Sequence, residues 1–419
     1  MRSTIFKLIL TLNIISFAFI SAKGQQFGWR GPDRSGIYNE TNLLKSWPES
    51  GPVLLWEATS IGPGLSSPVI TSDAIYITGK KGDEDVLTAL TPDGKKKWEI
   101  AYGKASDKSY PESRCTPTYY DGKLFLVSGQ GDITCIGKDG RKIWSDNYFV
   151  KYLGQVPNYG ISESPLVVDN KVIVTASGKL ASLVAYNAGD GSVAWTAEAF
   201  TEQSNGNHYV NPKLVEYGGR KFIVTMSDNY IIAVNSDNGR ILWKVDYVAQ
   251  SPGLTRKAHT TTPIYKDGFL FVASGYDFAA LKLKLSEDGS SPEIVWKNND
   301  IDPHTGGVVL LGNYLFGSTY DNNSKGRWTC VDWNSGKTMW INDWYNKGSV
   351  IAADGMLYIY EEKSGHVGLV KPGNIKLDVI SEFQITKGEG PFWAHPVIDK
   401  GRLYIRHGDF LFAYSIKQK

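Results

Sequence analysis

With 419 residues, 42% of them hydrophobic, the chain is long enough for about two or three average domains, or for one large all-β barrel or propeller. Its 45 Lys and Arg stand against 43 Asp and Glu, a formal charge of +2 with both signs scattered, so nothing is built to hold a polyphosphate backbone and nucleic acid is excluded as a partner. Cys115, Cys135 and Cys330 are too few for a disulfide scaffold; they read as small half-buried strand residues, with a Cys115–Cys135 bridge left open.

In chain order, residues 1–24 come first. Met1-Arg-Ser-Thr is followed by an apolar run over 5–20, interrupted by Lys7 and Asn13, and then by Ser21-Ala-Lys-Gly. A charged start, an apolar middle and small residues predict a secretory signal cleaved after Ala22 or Gly24, hence an exported protein, periplasmic or extracellular. The run is short for a bilayer core, no cysteine stands nearby for lipid attachment, and no later stretch is long enough to span a membrane. Residues 25–52 read as an extension packing on the main body of the protein.

From residue 53 the chain repeats itself. SSPVITSDAIYITG, CTPTYYDGKLFLVSG, ESPLVVDNKVIVTASG, VNPKLVEYGGRKFIVTMS, TTPIYKDGFLFVASG, GGVVLLGNYLFGS, GSVIAADGMLYIY and AHPVIDKGRLYIRHG are each a short strand, a tight polar turn and a second strand. Period-two alternation, β-branched and aromatic residues, and Asp-Gly or Asn-Gly turns leave no helical reading. A third strand comes next in most copies, then a turn that ends on tryptophan, as in KDGRKIW and GDGSVAW. Four-stranded meanders of this length cannot cover both faces alone, and stacked radially they make a propeller. Trp98, Trp144, Trp195, Trp243, Trp296 and Trp340, with Phe383 in the same role, mark seven outer strands that wedge between neighbouring sheets. The eighth copy stops without a fourth strand, while VLLWE at 53–57 is an outer strand without inner ones. The expectation is an all-β, eight-bladed propeller over 53–419, closed by an N-terminal strand in the C-terminal blade.

Within a blade the turns are short, whereas the links from one outer strand to the next inner strand are long, as at 101–114, 147–162, 199–210 and 247–261. Strand parity brings these links to one face, each ending at the head of an innermost strand beside the central channel. The heads present Arg114, Glu163, Asn211, His259, His304, Lys347, Trp393 and His395, a ring of polar groups expected to bind a ligand, with Tyr159, Tyr209, Trp344 and Trp393 ready to stack on it. A second reading is open: Arg114 and Glu163 pair across two blades and plug the channel. His208, His259, His304 and His395 come from separate loops without close ligand spacing, so no metal is expected. There is no strand–turn–helix nucleophile elbow for a hydrolase triad.

The turns NSDNGRILW and DWNSGKTMW resemble the tryptophan-docking repeats of quinoprotein dehydrogenases. More narrowly, FGWRGPDRSGIY, SRCTPTYYDGKLF, ISESPLVVDNKVIV, HTGGVVLLGNYLFG, KGSVIAADGMLYIY and WAHPVIDKGRLYIRHGDFLFAYSI are similar to the exported pyrroloquinoline-quinone-like (PQQ-like) propeller family, described by analogy with the assembly factor BamB. The quinoprotein resemblance implies PQQ held with calcium by a Glu and an Asn beside an Asp base, and Glu163 and Asn211 stand at comparable heads. The chain departs from that pattern: His259 is at the next head, no adjacent cysteine pair exists, and no C-x-x-C-H is present. The resulting expectation is an exported binding module without bound cofactor, taking a small molecule or carbohydrate, or a cell-envelope protein, at the long-loop face. The alternative is an enzyme in the same funnel, either a quinone-dependent oxidoreductase of sugars or alcohols or a carbohydrate-active enzyme using Glu163 and a histidine.

Overall fold

The computed structural model describes residues 26–200, 209–227, 229–254 and 259–418; the expected signal segment and His208 lie outside them. Among the described residues the strands form eight blades, each a four-stranded antiparallel sheet; in the first seven the four strands run in chain order from the axis outward. The third blade is typical: Leu166–Val168, Lys171–Thr175, Leu183–Asn187 and Val193–Thr196. The middle strands are buried on both faces because a neighbouring sheet covers each, whereas outer strands alternate, as in Pro292–Asn298.

Closure agrees with the expectation. Val53–Ala58 pairs antiparallel with Phe410–Ser415, Val53 opposite Ser415 and Ala58 opposite Leu411, and completes the eighth blade. The ring therefore has no open seam between its two ends.

The tryptophans dock as predicted, and a bulge aims them. In the second, third and fourth blades the pairing of the two outermost strands slips by one residue beside Trp144, Trp195 and Trp243. An extra residue there turns the ring out of its own sheet toward the next blade. Trp144 Nε1 donates to Ala188 O at 3.2 Å, and Trp195 Nε1 to Ser236 O at 3.0 Å. The indole covers the turn glycine of the neighbour: a Cβ on Gly191, at φ +74°, would lie 2.7 Å from Trp144. Phe383 closes the circle against Gly51 in the eighth blade.

The segment before the first blade runs across the axis as a strap. Phe27 bridges to Tyr119 in the second blade, Trp29 Nε1 donates to Thr262 Oγ1 at 2.9 Å in the fifth, and Ile37–Tyr38 adds a parallel fifth strand beside Gly348–Ala353 in the seventh. Between these anchors Arg30 and Arg34 are buried. Arg30 donates to Val308 O at 2.7 Å and Val350 O at 3.0 Å; Arg34 donates to Ser164 O at 3.2 Å, Pro212 O at 3.0 Å and Pro165 O. Innermost strands leave backbone carbonyls facing the channel without a partner strand, and two planar guanidinium groups satisfy them.

Candidate functional site

Chain direction sorts the loops. The innermost strand of each blade runs away from the mouth, so the links entering it and the turns between second and third strands share that end. A cavity of about 300 Å³ opens there, lined by Trp29, Leu65, Tyr110, Arg114, Tyr159, Ser162, Tyr209, Asn211, Thr260, Tyr276, His304, Thr305, Asn323, Ser324, Glu362, Lys363 and Trp393.

Its wall is an arc of aromatic rings. Ring centres are separated by 6.3 Å from Tyr209 to Tyr159, 6.4 Å to Tyr110, 4.8 Å to Trp393, 6.4 Å to His304 and 4.9 Å to Tyr276. These spacings suit edge and tilted contacts, so each ring braces the next. Tyr276 and His304 have left-handed backbones, φ +62° and +56°, which turn both side chains inward so that Tyr276 OH and His304 Nε2 meet at 2.9 Å. Asp302 ties the two loops beneath, accepting Asp277 N–H at 3.0 Å and Tyr320 N–H at 2.8 Å. Burial pushes its carboxyl up to about 8. On the other side Trp393 Nε1 donates to Glu362 at 3.1 Å, and Glu362 pairs with Lys347 at 2.9 Å, both side chains buried. Burial raises the Glu362 carboxyl despite Lys347.

Among the described residues, Arg114 and Lys363 are the cations that line the cavity. The Arg114 guanidinium lies 5.9 Å from the centre of Trp393 and donates from Nη2 to Tyr110 O at 2.7 Å. Nε is buried without a partner, and burial holds the group below its ordinary pKa.

Of the eight expected site residues, Arg114, Asn211, His304 and Trp393 line the cavity. The other four sit behind it. Glu163 is fully buried; its carboxylate accepts Thr175 N–H at 3.0 Å and Thr175 Oγ1 at 3.2 Å, and burial pushes it up to about 8 although Arg34 opposes the shift. His259 is buried against Tyr247 and Phe278, with Nδ1 3.2 Å from Ser274 Oγ. Lys347 supports the wall through Glu362 and donates to Asn322 O at 2.9 Å. His395 accepts Arg30 Nη1 at Nδ1, 2.8 Å, and donates from Nε2 to Thr305 O, 2.8 Å; burial first and then Arg30 lower it to about 3, so the ring is neutral.

Arg114 and Glu163 do not pair: the channel is plugged instead by Arg30 and Arg34 of the extension. Trp344 also lies away from the cavity, donating to Glu382 at 2.9 Å. Cys115, Cys135 and Cys330 are free and buried, so no Cys115–Cys135 bridge forms.

Tyr276, Asn323, Ser324, Glu362 and Lys363 escaped sequence reasoning because they come from second-to-third turns. The strand parity that gathered the long links puts these turns at the same end and would have found them. Trp29 had no such signal.

At the positions comparable to the quinoprotein calcium ligands, both Glu163 oxygens accept from Thr175 and Asn211 Oδ1 accepts Ser164 N–H at 2.6 Å, so PQQ with calcium would have to share these oxygens with the protein's own donors. Among the described residues no group of three His, Cys, Asp or Glu is placed to hold a metal. No described helix is long and apolar enough to cross a membrane.

A family model described as outer membrane protein assembly factor BamB matches residues 37–147 and 83–342. The chain is 21% identical over 331 residues to BamB of Moranella endobia, covering 73% of this chain and 80% of that one. To BamB of Yersinia pestis it is 28% identical over 227 residues, 53% and 52% of the two chains. Among solved structures, BamB from Moraxella catarrhalis superposes with a TM-score of 0.63 at 14% identity, over 87% of this chain and 99% of that one. A europium-containing methanol dehydrogenase superposes at 0.57 and 15% identity, over 91% and 90%. At these identities the superpositions show the fold.

Proposed function

The chain belongs to the outer membrane protein assembly factor BamB family, and from that membership we propose that it is an exported binding module engaging its partner through the mouth of the ring. The partner is a cell-envelope protein, as the names of the relatives suggest, or a small molecule or carbohydrate presented at that surface. One observation carries this reading: the mouth is a preformed cup, walled by braced aromatic rings and floored by Trp29 of the strap. Such a cup loses little side-chain entropy when a ligand enters.

The carbohydrate-active-enzyme reading draws no such support. Its Glu163 is buried behind the cavity with its oxygens accepting from Thr175. Export rests on the pattern of residues 1–24.

The test is site-specific photo-crosslinking in intact cells, with the photoreactive residue at Tyr110 or Lys363 of the mouth, or at Asp121 or Asp267 of the opposite end. Discrete adducts from the mouth positions are expected. Adducts confined to the opposite end would refute the reading.

A further inference from the structure

Resting on the binding reading, the cavity's chemistry narrows what enters it. We propose that the cup is a site for a carboxylate-bearing sugar ring, a uronic acid, with Arg114 meeting the carboxylate and Trp393 and Tyr110 packing on the ring face.

Size comes first. About 300 Å³ is the low end of the range for small-molecule pockets, room for a ring with its substituents rather than a chain. A free sugar acid or the exposed end of a glycan would both fit.

The lining comes second. Aromatic faces dominate its apolar part, Leu65 being the only aliphatic side chain there among the described residues. Between the rings stand neutral hydrogen-bonding groups, among them Ser162, Asn211 and Asn323. Flat apolar faces alternating with amides and hydroxyls match a ring whose C–H faces are apolar and whose rim is hydroxylated.

Charge comes third. The single carboxylate lining the cavity among the described residues, Glu362, is neutralised by Lys347 at 2.9 Å from behind. Arg114, by contrast, makes no ion pair with a carboxylate among the described residues, and the one bond its Nη groups make there is from Nη2 to Tyr110 O. A planar guanidinium held over an indole and not directly ion-paired, with Glu112 and Asp85 acting on it only from a distance, is suited to a carboxylate that it grips with two parallel bonds. Removing a lone charge from water is costly unless it is paired, and the ligand's anion supplies that pair.

The test is calorimetry or saturation-transfer NMR on the purified chain. The probes are glucuronate and galacturonate, the neutral sugars glucose and galactose, and benzoate and inorganic phosphate. A uronate is expected to bind at least about tenfold tighter than its neutral sugar. Arg114→Gln removes that preference, Arg114→Lys, with charge but no fork, keeps only part of it, and Lys123→Gln, at the opposite end of the ring, leaves it unchanged. Circular dichroism establishes that each variant is folded. Equal binding of acid and neutral sugars, stronger binding of benzoate or phosphate, or a preference that survives Arg114→Gln overturns the proposal. If mouth crosslinks persist while no uronate binds, the sugar-acid assignment falls and the binding module stands; loss of both refutes both.

Discussion

Replacing Glu163 by Gln tests the electrostatics of the ring most directly. The carboxyl is fully buried, and its pKa moves from an ordinary 4.5 to about 8, burial outweighing the Thr175 bonds and the nearby Arg34. Between those values the unfolded chain has released a proton that the folded chain keeps. Stability is therefore complete below the lower value and is lost as pH rises through the upper one. The loss is about 1.4 kcal/mol per pH unit, on the order of 5 kcal/mol across the window. Glutamine has the same shape, retains an oxygen for Thr175 N–H and does not titrate. Asp85, raised to about 7, and Asp302, raised to about 8, slope the same way but are present in both proteins and cancel in the difference. Urea unfolding of wild type and E163Q at about pH 5 and about pH 8 gives the difference. The variant is expected to gain on wild type steadily as pH rises. Parallel loss in the two proteins would refute the reasoning and mean that Glu163 is ionised in the fold, with Arg34 as its counter-charge.

Three further predictions concern the buried polar framework. Arg34→Met leaves the carbonyls of Ser164, Pro165 and Pro212 without their donor; a loss of about 3 kcal/mol or more is expected by urea unfolding, at about 1–3 kcal/mol per buried group left unpaired. Lys347→Met strands Glu362 in the wall and costs about 3–5 kcal/mol, whereas Lys347→Met with Glu362→Met recovers only part of that loss in a double-mutant cycle, because Trp393 Nε1 and Asn322 O still lack their partners. Burial pushes the thiols of Cys115, Cys135 and Cys330 up to about 12. All three are therefore expected to resist iodoacetamide in the native protein and to react once urea unfolds it, as read by mass spectrometry.

The blades were legible because their signals are local. Alternation, turn residues and the tryptophan that ends each unit are read within a few residues, and the incomplete eighth copy together with the orphan strand at 53–57 announced the closure seen in Val53–Ala58. The mouth was legible in part. Chain parity placed Arg114, Asn211, His304 and Trp393 at one end, and all four line the cavity.

What sequence alone could not decide was the direction of each head. Along extended backbone, neighbouring side chains point opposite ways, so Ser162 faces the cavity while Glu163 enters the wall. Composition favours the charged residue as the functional one; the pleat set against the axis decides otherwise, and that phase exists only once the ring has closed. The strap is the stronger case. Nothing periodic marks residues 27–36, and the carbonyls that Arg30 and Arg34 satisfy belong to Val350, Val308, Ser164, Pro165 and Pro212, far away along the chain. Strand and turn formation are local free-energy choices written in short windows, whereas filling a channel depends on which distant backbone groups remain unpaired after every blade is in place.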